Sequence, residues 1–303
     1  NLESKVPAPL NSGYSDTQQS FSKLGFNRVR ACLAYSVNDP AGSGIAKAIL
    51  TLVEYVPMKL PLASESYEIP RLNAVLAGFN EDVLYFEFLN EVCLADFYLV
   101  LSRHSSEAGV KSFTVHHPGN PMRTAVAGGR PLELPPSNPL LSRRLLVSLA
   151  RRVERMPGFV VSYEVTHHGP SSLRKPVTFV EIGSSMSEWV LREAHSLVAE
   201  AVLDALTSPE ELCTIAVGVG GNHYAPIFTR RALEGREAYG HMIASYALKD
   251  LDDPELVQKV VREACIKSSV PTNKLVVEKK LKRSWRDALE KIATELNLQV
   301  EYV

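Results

Sequence analysis

Residues 214–248, TIAVGVGGNHYAPIFTRRALEGREAYGHMIASYAL, restrict the fold more than any other stretch. An apolar strand over Thr214–Val219 breaks into Gly220 and Gly221, then presents Asn222, His223 and Tyr224. A strand that runs out into glycines and polar side chains is how an α/β protein delivers chemistry to the edge of its sheet. Glycine lets a ligand approach the backbone, and unpaired N–H groups there receive an anion. A second histidine, His241, opens the apolar run that follows.

Strand and helix patterns alternate through much of the chain. Arg28–Ser36 reads as a strand, then the turn NDPAGSG leads into a helix from about Ile45 to Tyr55, with Asp39 and Ser43 as capping types. The runs AVLAGF and VLYFEFL around Asn80-Glu81-Asp82 predict a hairpin. Strands over 96–103 and 111–117 end in His104 and in His116-His117, and FVVSYEVT runs into His167-His168. VTFVEI carries Glu181 near its end, and a helix capped by Ser187 runs to Leu206. Apolar residues at helical spacing from Leu281 to Leu296 mark a core helix. The expected architecture is α/β: a mostly parallel mixed sheet flanked by helices, one domain over residues 26–303, after a Ser-, Pro- and Gln-rich tail over residues 1–25.

Thirty-three Lys+Arg against 34 Asp+Glu give a formal net charge of -1, so a nucleic-acid partner needs a local basic face. Two are available. On the helix from Asn138 to Arg155, Arg143, Arg144, Arg151, Arg152 and Arg155 lie away from the apolar side, and Lys279, Lys280, Lys282, Arg283 and Arg286 cluster before the last helix. The four cysteines form no CxxC, which suits a reducing compartment. No apolar run approaches a membrane span and no basic-then-apolar leader is present, so a cytoplasmic protein without membrane association is expected.

Of the eight histidines, six sit at strand ends or in the glycine loop: 104, 116, 117, 167, 168 and 223. Delivered to one side of a parallel sheet together with Glu181, they suit Zn²⁺, which takes imidazole and carboxylate ligands. Adjacent strand residues face opposite ways, so both members of an HH pair rarely ligate one ion. HExxH and GxSxG are absent, and a metal-free set of acid/base histidines stays open.

Four separated motifs, SRHSSEAG with TVHHPGN, VTHHGPSSL, FVEIGSS, and GGNHYAPIFT with GHMIASYAL, resemble the archaeal and plant type of D-aminoacyl-tRNA deacylase. The resemblance implies hydrolysis of the ester joining a D-amino acid to tRNA, zinc as cofactor, and a fold similar to phosphorylases and peptidyl-tRNA hydrolase. On that reading His104, His116, His168 and Glu181 surround the metal or its water, with His167, His168 and His223 as the catalytic set. Asn222, Tyr224 and the N–H groups of Gly220 and Gly221 hold the terminal ribose or the oxyanion, and Arg143, Arg144, Arg151 and Arg155, or the Lys279–Arg286 cluster, receive tRNA phosphates. No obligate protein partner is evident. The competing readings are a zinc amidohydrolase or aminopeptidase on small substrates, and a non-catalytic RNA-binding module.

Overall fold

The computed structural model describes residues 29–209 and 211–303; the expected tail over residues 1–25 lies outside them. Among the described residues, twelve strands form two sheets. In the larger lie β1 (Val29–Ser36), β2 (Val56–Pro57), β3 (Glu65–Ile69), β4 (Ala74–Phe79), β5 (Ala95–Ser105), β6 (Ser112–His116), β7 (Val160–Tyr163) and β8 (Val177–Ser184). Their spatial order is β2-β3-β4-β1-β5-β8-β6-β7. The smaller sheet holds β9 (Thr214–Val219), β10 (Glu237–Ile243), β11 (Lys274–Val277) and β12 (Gln299–Tyr302) in the order β10-β9-β11-β12, all parallel.

The central strands β4, β1, β5 and β8 are parallel, and they are the near-continuous apolar runs that a sheet covered on both faces requires. One face packs against the helices Pro40–Leu52, Pro139–Ala150 and Arg192–Thr207 through Leu33, Ile45, Leu145, Leu149, Leu197 and Val202, all fully buried. The first of these helices starts at Pro40, earlier than its apolar pattern suggests, because Asp39 accepts hydrogen bonds from the N–H groups of Ala41 and Gly42. The small sheet buries Val217, Val219, Leu275 and Val277 under Val261, Trp285, Leu289 and Ile292.

Two sequence expectations change at this level. The hairpin at Asn80-Glu81-Asp82 does not form: AVLAGF is β4, but Val83–Phe88 is a 3₁₀ turn capped by Asp82. Phe86 and Phe88 pack edge-on against Phe79, and that aromatic cluster stabilises the compact turn over an extended strand. The helix after β8 is broken at Val190–Leu191, and its cap is Ser185, paired with Glu188 in a capping box, rather than Ser187.

The direction of β6 decides where the histidines meet. β6 runs antiparallel to β8 and carries β7 parallel to itself, so the histidine-bearing strands do not all end at one edge. Residues that pair directly across a sheet point to the same face, and the register Ser102↔Glu181↔Thr114 places His104, two residues after Ser102, and His116, two after Thr114, on the face of Glu181. The histidines converge over a sheet face, not at a row of strand ends.

Candidate active site

β7 stops at Tyr163, Glu164 N–H still donates to Val115 O on β6, and the residues after it cross to the small sheet: Val165 N–H donates to His223 O and Thr166 N–H to Met242 O. This crossing hangs Glu164, His167 and His168 over the face that already carries His104, His116 and Glu181. His167 and His168 both reach the cluster because they no longer obey strand alternation; His168 adopts φ +51, which turns its ring towards His116. His116 and His117 do obey it. His117 faces the opposite side, where Nδ1–H donates to Val177 O, and it is a core histidine held neutral by burial, down to about 4. His241 is likewise structural, between Pro135 O and Thr166 Oγ1, and His195 donates to Trp189 O.

Glu164 is the centre of the arrangement, and sequence reading missed it. Its carboxylate is fully buried and faces three imidazoles: His223 Nε2 at 2.9 Å, His104 Nδ1 at 3.1 Å and His167 Nε2 at 3.4 Å. Burial alone would raise its pKa, but His104 and His223 overrule that and hold it well below the usual value. Glu181 lies 3.5 Å from His104 and 3.9 Å from His116; burial, opposed by His104 and reinforced by the charge of Glu164, raises it to about 7. Burial also disfavours charge on His104, yet the two carboxylates bring it up to about 11.

His116, His167 and His168 behave oppositely. His167 Nδ1–H donates to Val165 O at 2.8 Å and His168 Nδ1–H to Gly169 O at 2.6 Å, so each ring must direct a lone pair from Nε2. The His167 lone pair faces the Glu164 carboxylate, while His168 Nε2 lies 3.1 Å from His116 Nε2, which can donate to it because His116 Nδ1 has no hydrogen-bond partner among the described residues. Desolvation, then the neighbouring imidazoles, push His167 down to about 3 and His116 well below its usual value, so protons do not resolve the conflict cheaply. Ligand atoms of His116, His167 and His168 lie within 4.8 Å of one another, as do those of His116, Glu164 and Glu181, and of His104, Glu164 and His223. The imidazoles of His167 and His168, with tautomers fixed by backbone carbonyls, and the buried Glu164 carboxylate, whose oxygens accept no hydrogen bond among the described residues, are donor types that Zn²⁺ takes. Above it opens a cleft of about 350 Å³, lined by Asp39, Asp82, Leu84, Arg103, His104, His167, His168, Glu181 and His223 among others.

Several expected roles are corrected by this geometry. His104, His116, His168 and Glu181 are not gathered as one four-donor group among the described residues; His104 is engaged by Glu164, Glu181 and the Tyr224 hydroxyl, 3.1 Å from its Nε2. The N–H groups of Gly220 and Gly221 are already taken, donating to Ile243 O and to Glu278 Oε2 at 2.8 Å each, so neither is free for an oxyanion or a ribose. Both glycines have positive φ, and a Cβ on Gly220 would meet Glu278 at 2.5 Å, so they shape the loop. Asn222 is exposed and its carbonyl accepts from Ala225 N–H.

The arginine face is not a free cationic surface. Arg143 is buried and binds Glu211 and Gly235 O, Arg144 donates to Ser208 O, and Arg155 pairs with Glu200. Of the four expected residues, Arg151 alone stands exposed without an ion pair among the described residues. Arg30, at the start of β1, donates to nearby Leu206 O, which puts this face at the N-terminal ends of the central strands, away from the cleft.

The family model for D-aminoacyl-tRNA deacylase matches residues 93–301. Curated proteins named D-aminoacyl-tRNA deacylase from Desulfurococcus amylolyticus and Aeropyrum pernix are 42% identical over 89% of this chain and 99% of the relative, and 39% identical over 91% of this chain and 100% of the relative. A crystal structure of a conserved protein of unknown function superposes with a TM-score of 0.84 at 32% identity, covering 91% of this chain and 96% of that one. It shares the α/β architecture, while the expected likeness to peptidyl-tRNA hydrolase is not confirmed by it. The chain belongs to the D-aminoacyl-tRNA deacylase family.

Proposed function

We propose that this protein hydrolyses the ester between a D-amino acid and the 3′ end of tRNA, releasing both, with the histidine–glutamate cluster as the reaction centre and zinc as its cation. Family membership over nearly the whole length of its relatives supports the reaction, and lends no support to an amidohydrolase or aminopeptidase. The observation that carries the site is the pair of Nε2 lone pairs on His167 and His168 directed into the cluster, beside a buried Glu164 carboxylate whose oxygens accept no hydrogen bond among the described residues, beneath an open cleft. A tRNA ester as substrate supports action in the cytoplasm, where translation runs, and no described helix is long and apolar enough to cross a membrane.

His116, His167 and His168, with Glu164 beside them, would hold zinc, which when bound polarises an ester carbonyl and makes water acidic enough to attack near neutral pH. The protein's own groups do the rest. Glu164 holds His104 and His223 by charge, its carboxylate oxygens 3.1 Å and 2.9 Å from their ring nitrogens. His223, a third exposed, reaches the cleft with Nε2 on that carboxylate, and so can pass a proton to the departing ribose oxygen. Glu181 lines the same cleft as a proton acceptor for the attacking water. Tyr224 positions His104 from the outer side. Both enantiomeric esters bring the same groups, so rejection of the L form rests on the shape of the cleft walls, among them Leu84 and Ala127. Paired deacylation of D-Tyr-tRNA and L-Tyr-tRNA tests the reading: selective release from the D ester is expected, and indifference to both overturns it.

A further inference from the structure

The parallel strands β10, β9 and β11 of the small sheet all end at one edge, and through His223 that edge adjoins the cleft. β9 runs out into Gly220–Tyr224, with His223 on Glu164. β10 runs out into Ser245 and Tyr246, and Ser245 N–H donates to Gly221 O. β11 runs out into Glu278, whose N–H donates to Val219 O and whose carboxylate accepts from Gly221 N–H. Glu278 is thus spent on the loop, and directly after it come Lys279, Lys280, Lys282 and Arg283, all exposed.

These cations differ from the arginines of the Pro139–Ala150 helix in their partners. Lys282 pairs with Asp252 and lies over Trp285. The side chains of Lys279, Lys280 and Arg283 make no ion pair or hydrogen bond among the described residues, and the segment is anchored from beneath by buried Leu281 and Trp285. Asp287 is the nearby exposed acid on the same helix and leaves the patch net positive. Tyr246, 39% exposed, follows Ser245, whose hydroxyl lies 3.4 Å from the Glu278 carboxylate, and its phenol is pushed up to about 12 first by burial and then by the charge of Glu164. Free cations and a partly exposed aromatic at one edge of a sheet are the elements of a single-strand nucleic-acid track, in which cations hold phosphates and the ring stacks a base.

We propose that Lys279, Lys280 and Arg283 receive the phosphates of the single-stranded acceptor end of the substrate tRNA, and that Tyr246 stacks on one of its terminal bases. The assignment rests on the deacylase reading and places the polyanion on the small sheet's edge instead of the arginine helix.

The test compares wild type with the triple variant Lys279→Ala, Lys280→Ala, Arg283→Ala and with the milder single variant Lys280→Glu. Two substrates are used, D-tyrosyl-tRNA and 3′-D-tyrosyl-adenosine, which lacks the phosphates. The triple variant should lose about tenfold or more in kcat/KM on the tRNA ester through KM, keep its rate on the adenosine ester, and show a salt slope shallower by about 2–3. Tyr246→Ala should lose roughly tenfold on both esters if the stacked base is the terminal adenine, or on the tRNA ester alone if it is the preceding base, with Tyr246→Phe restoring activity in either case. An unchanged KM and salt slope for the tRNA ester, or equal losses on the two esters in the lysine and arginine variants, would overturn the assignment. Binding of uncharged tRNA, measured in parallel, separates the two claims. If wild type cleaves neither ester, the deacylase reading fails, and whether the triple variant binds tRNA more weakly still decides the surface.

Discussion

Two polar clusters inside this molecule are built on opposite principles. On the small sheet, Arg231 and Lys274 meet Glu237 and Glu301: Arg231 binds Glu237 through two bonds of 2.7 Å and Glu301 at 2.8 Å, while Lys274 lies 3.0 Å and 2.8 Å from the same two carboxylates. Tyr239 adds its hydroxyl to Glu237. Two cations balance two anions, and every group has a partner of opposite sign. Over the large sheet, Glu164 and Glu181 share a buried space with five imidazoles, three of which are driven towards neutrality by burial. The His167 lone pair faces the Glu164 carboxylate there, and neither oxygen of that carboxylate accepts a hydrogen bond among the described residues. A satisfied network serves the fold, whereas an over-supply of lone pairs under an open cleft costs stability and persists where a ligand or a reaction uses it.

Substitutions should divide the two clusters cleanly. The largest effect is expected at the acceptor-rich one: His168→Ala or His116→Ala should weaken zinc binding by more than about a hundredfold and abolish turnover, with thermal stability of the zinc-free protein unchanged or raised. Metal titration and melting curves on the same samples check this, and a destabilised apo-protein with intact zinc affinity would make the cluster structural. Next comes the satisfied network. Glu237→Gln should cost about 2 kcal/mol by leaving Arg231 and Lys274 short of charge, while deacylation at a permissive temperature stays at the wild-type rate.

The pH response sharpens the contrast. Burial would raise the Glu237 carboxyl, but Arg231, Tyr239 and Lys274 bring it down to about 2, from a usual value of 4.5. A depressed folded-state pKa means that the unfolded chain binds the proton first, so the stability from Glu237 is full above about pH 4.5 and drains away as pH falls towards 2. Acid unfolding of wild type should steepen in that window, and Glu237→Gln should flatten it. The smallest effect belongs to the arginine helix: Arg151→Ala, at an exposed position away from the cleft, should leave kcat/KM on D-Tyr-tRNA within about twofold of wild type. A larger loss would return the tRNA to that face.

How far the sequence revealed this site depends on what each residue reports locally. His104, His116, His167, His168, His223 and Glu181 were visible because each stands where an apolar run meets turn residues, and the structure does bring all six to one cleft or its floor. Glu164 was hidden inside SYEVT, where a lone carboxylate passes for the outward member of an alternating strand. The signal was its position just ahead of a histidine pair, in a strand otherwise uncharged. The reversal of β6 has no local signature, since strand direction is set by pairing partners distant in sequence. The same distance hid Glu200, Glu211 and Glu278, whose carboxylates consume the arginines and the Gly221 N–H that the sequence offers as free.

The central claim is that Glu164, not the more conspicuous histidines alone, organises the reaction centre. Single-turnover deacylation of D-Tyr-tRNA by Glu164→Gln, with zinc content measured on the same protein, tests it most directly. An isosteric amide keeps the packing but cannot hold His104 and His223 by charge, so the rate should fall about a thousandfold in a folded protein. A variant that releases D-tyrosine at the wild-type rate would contradict the account.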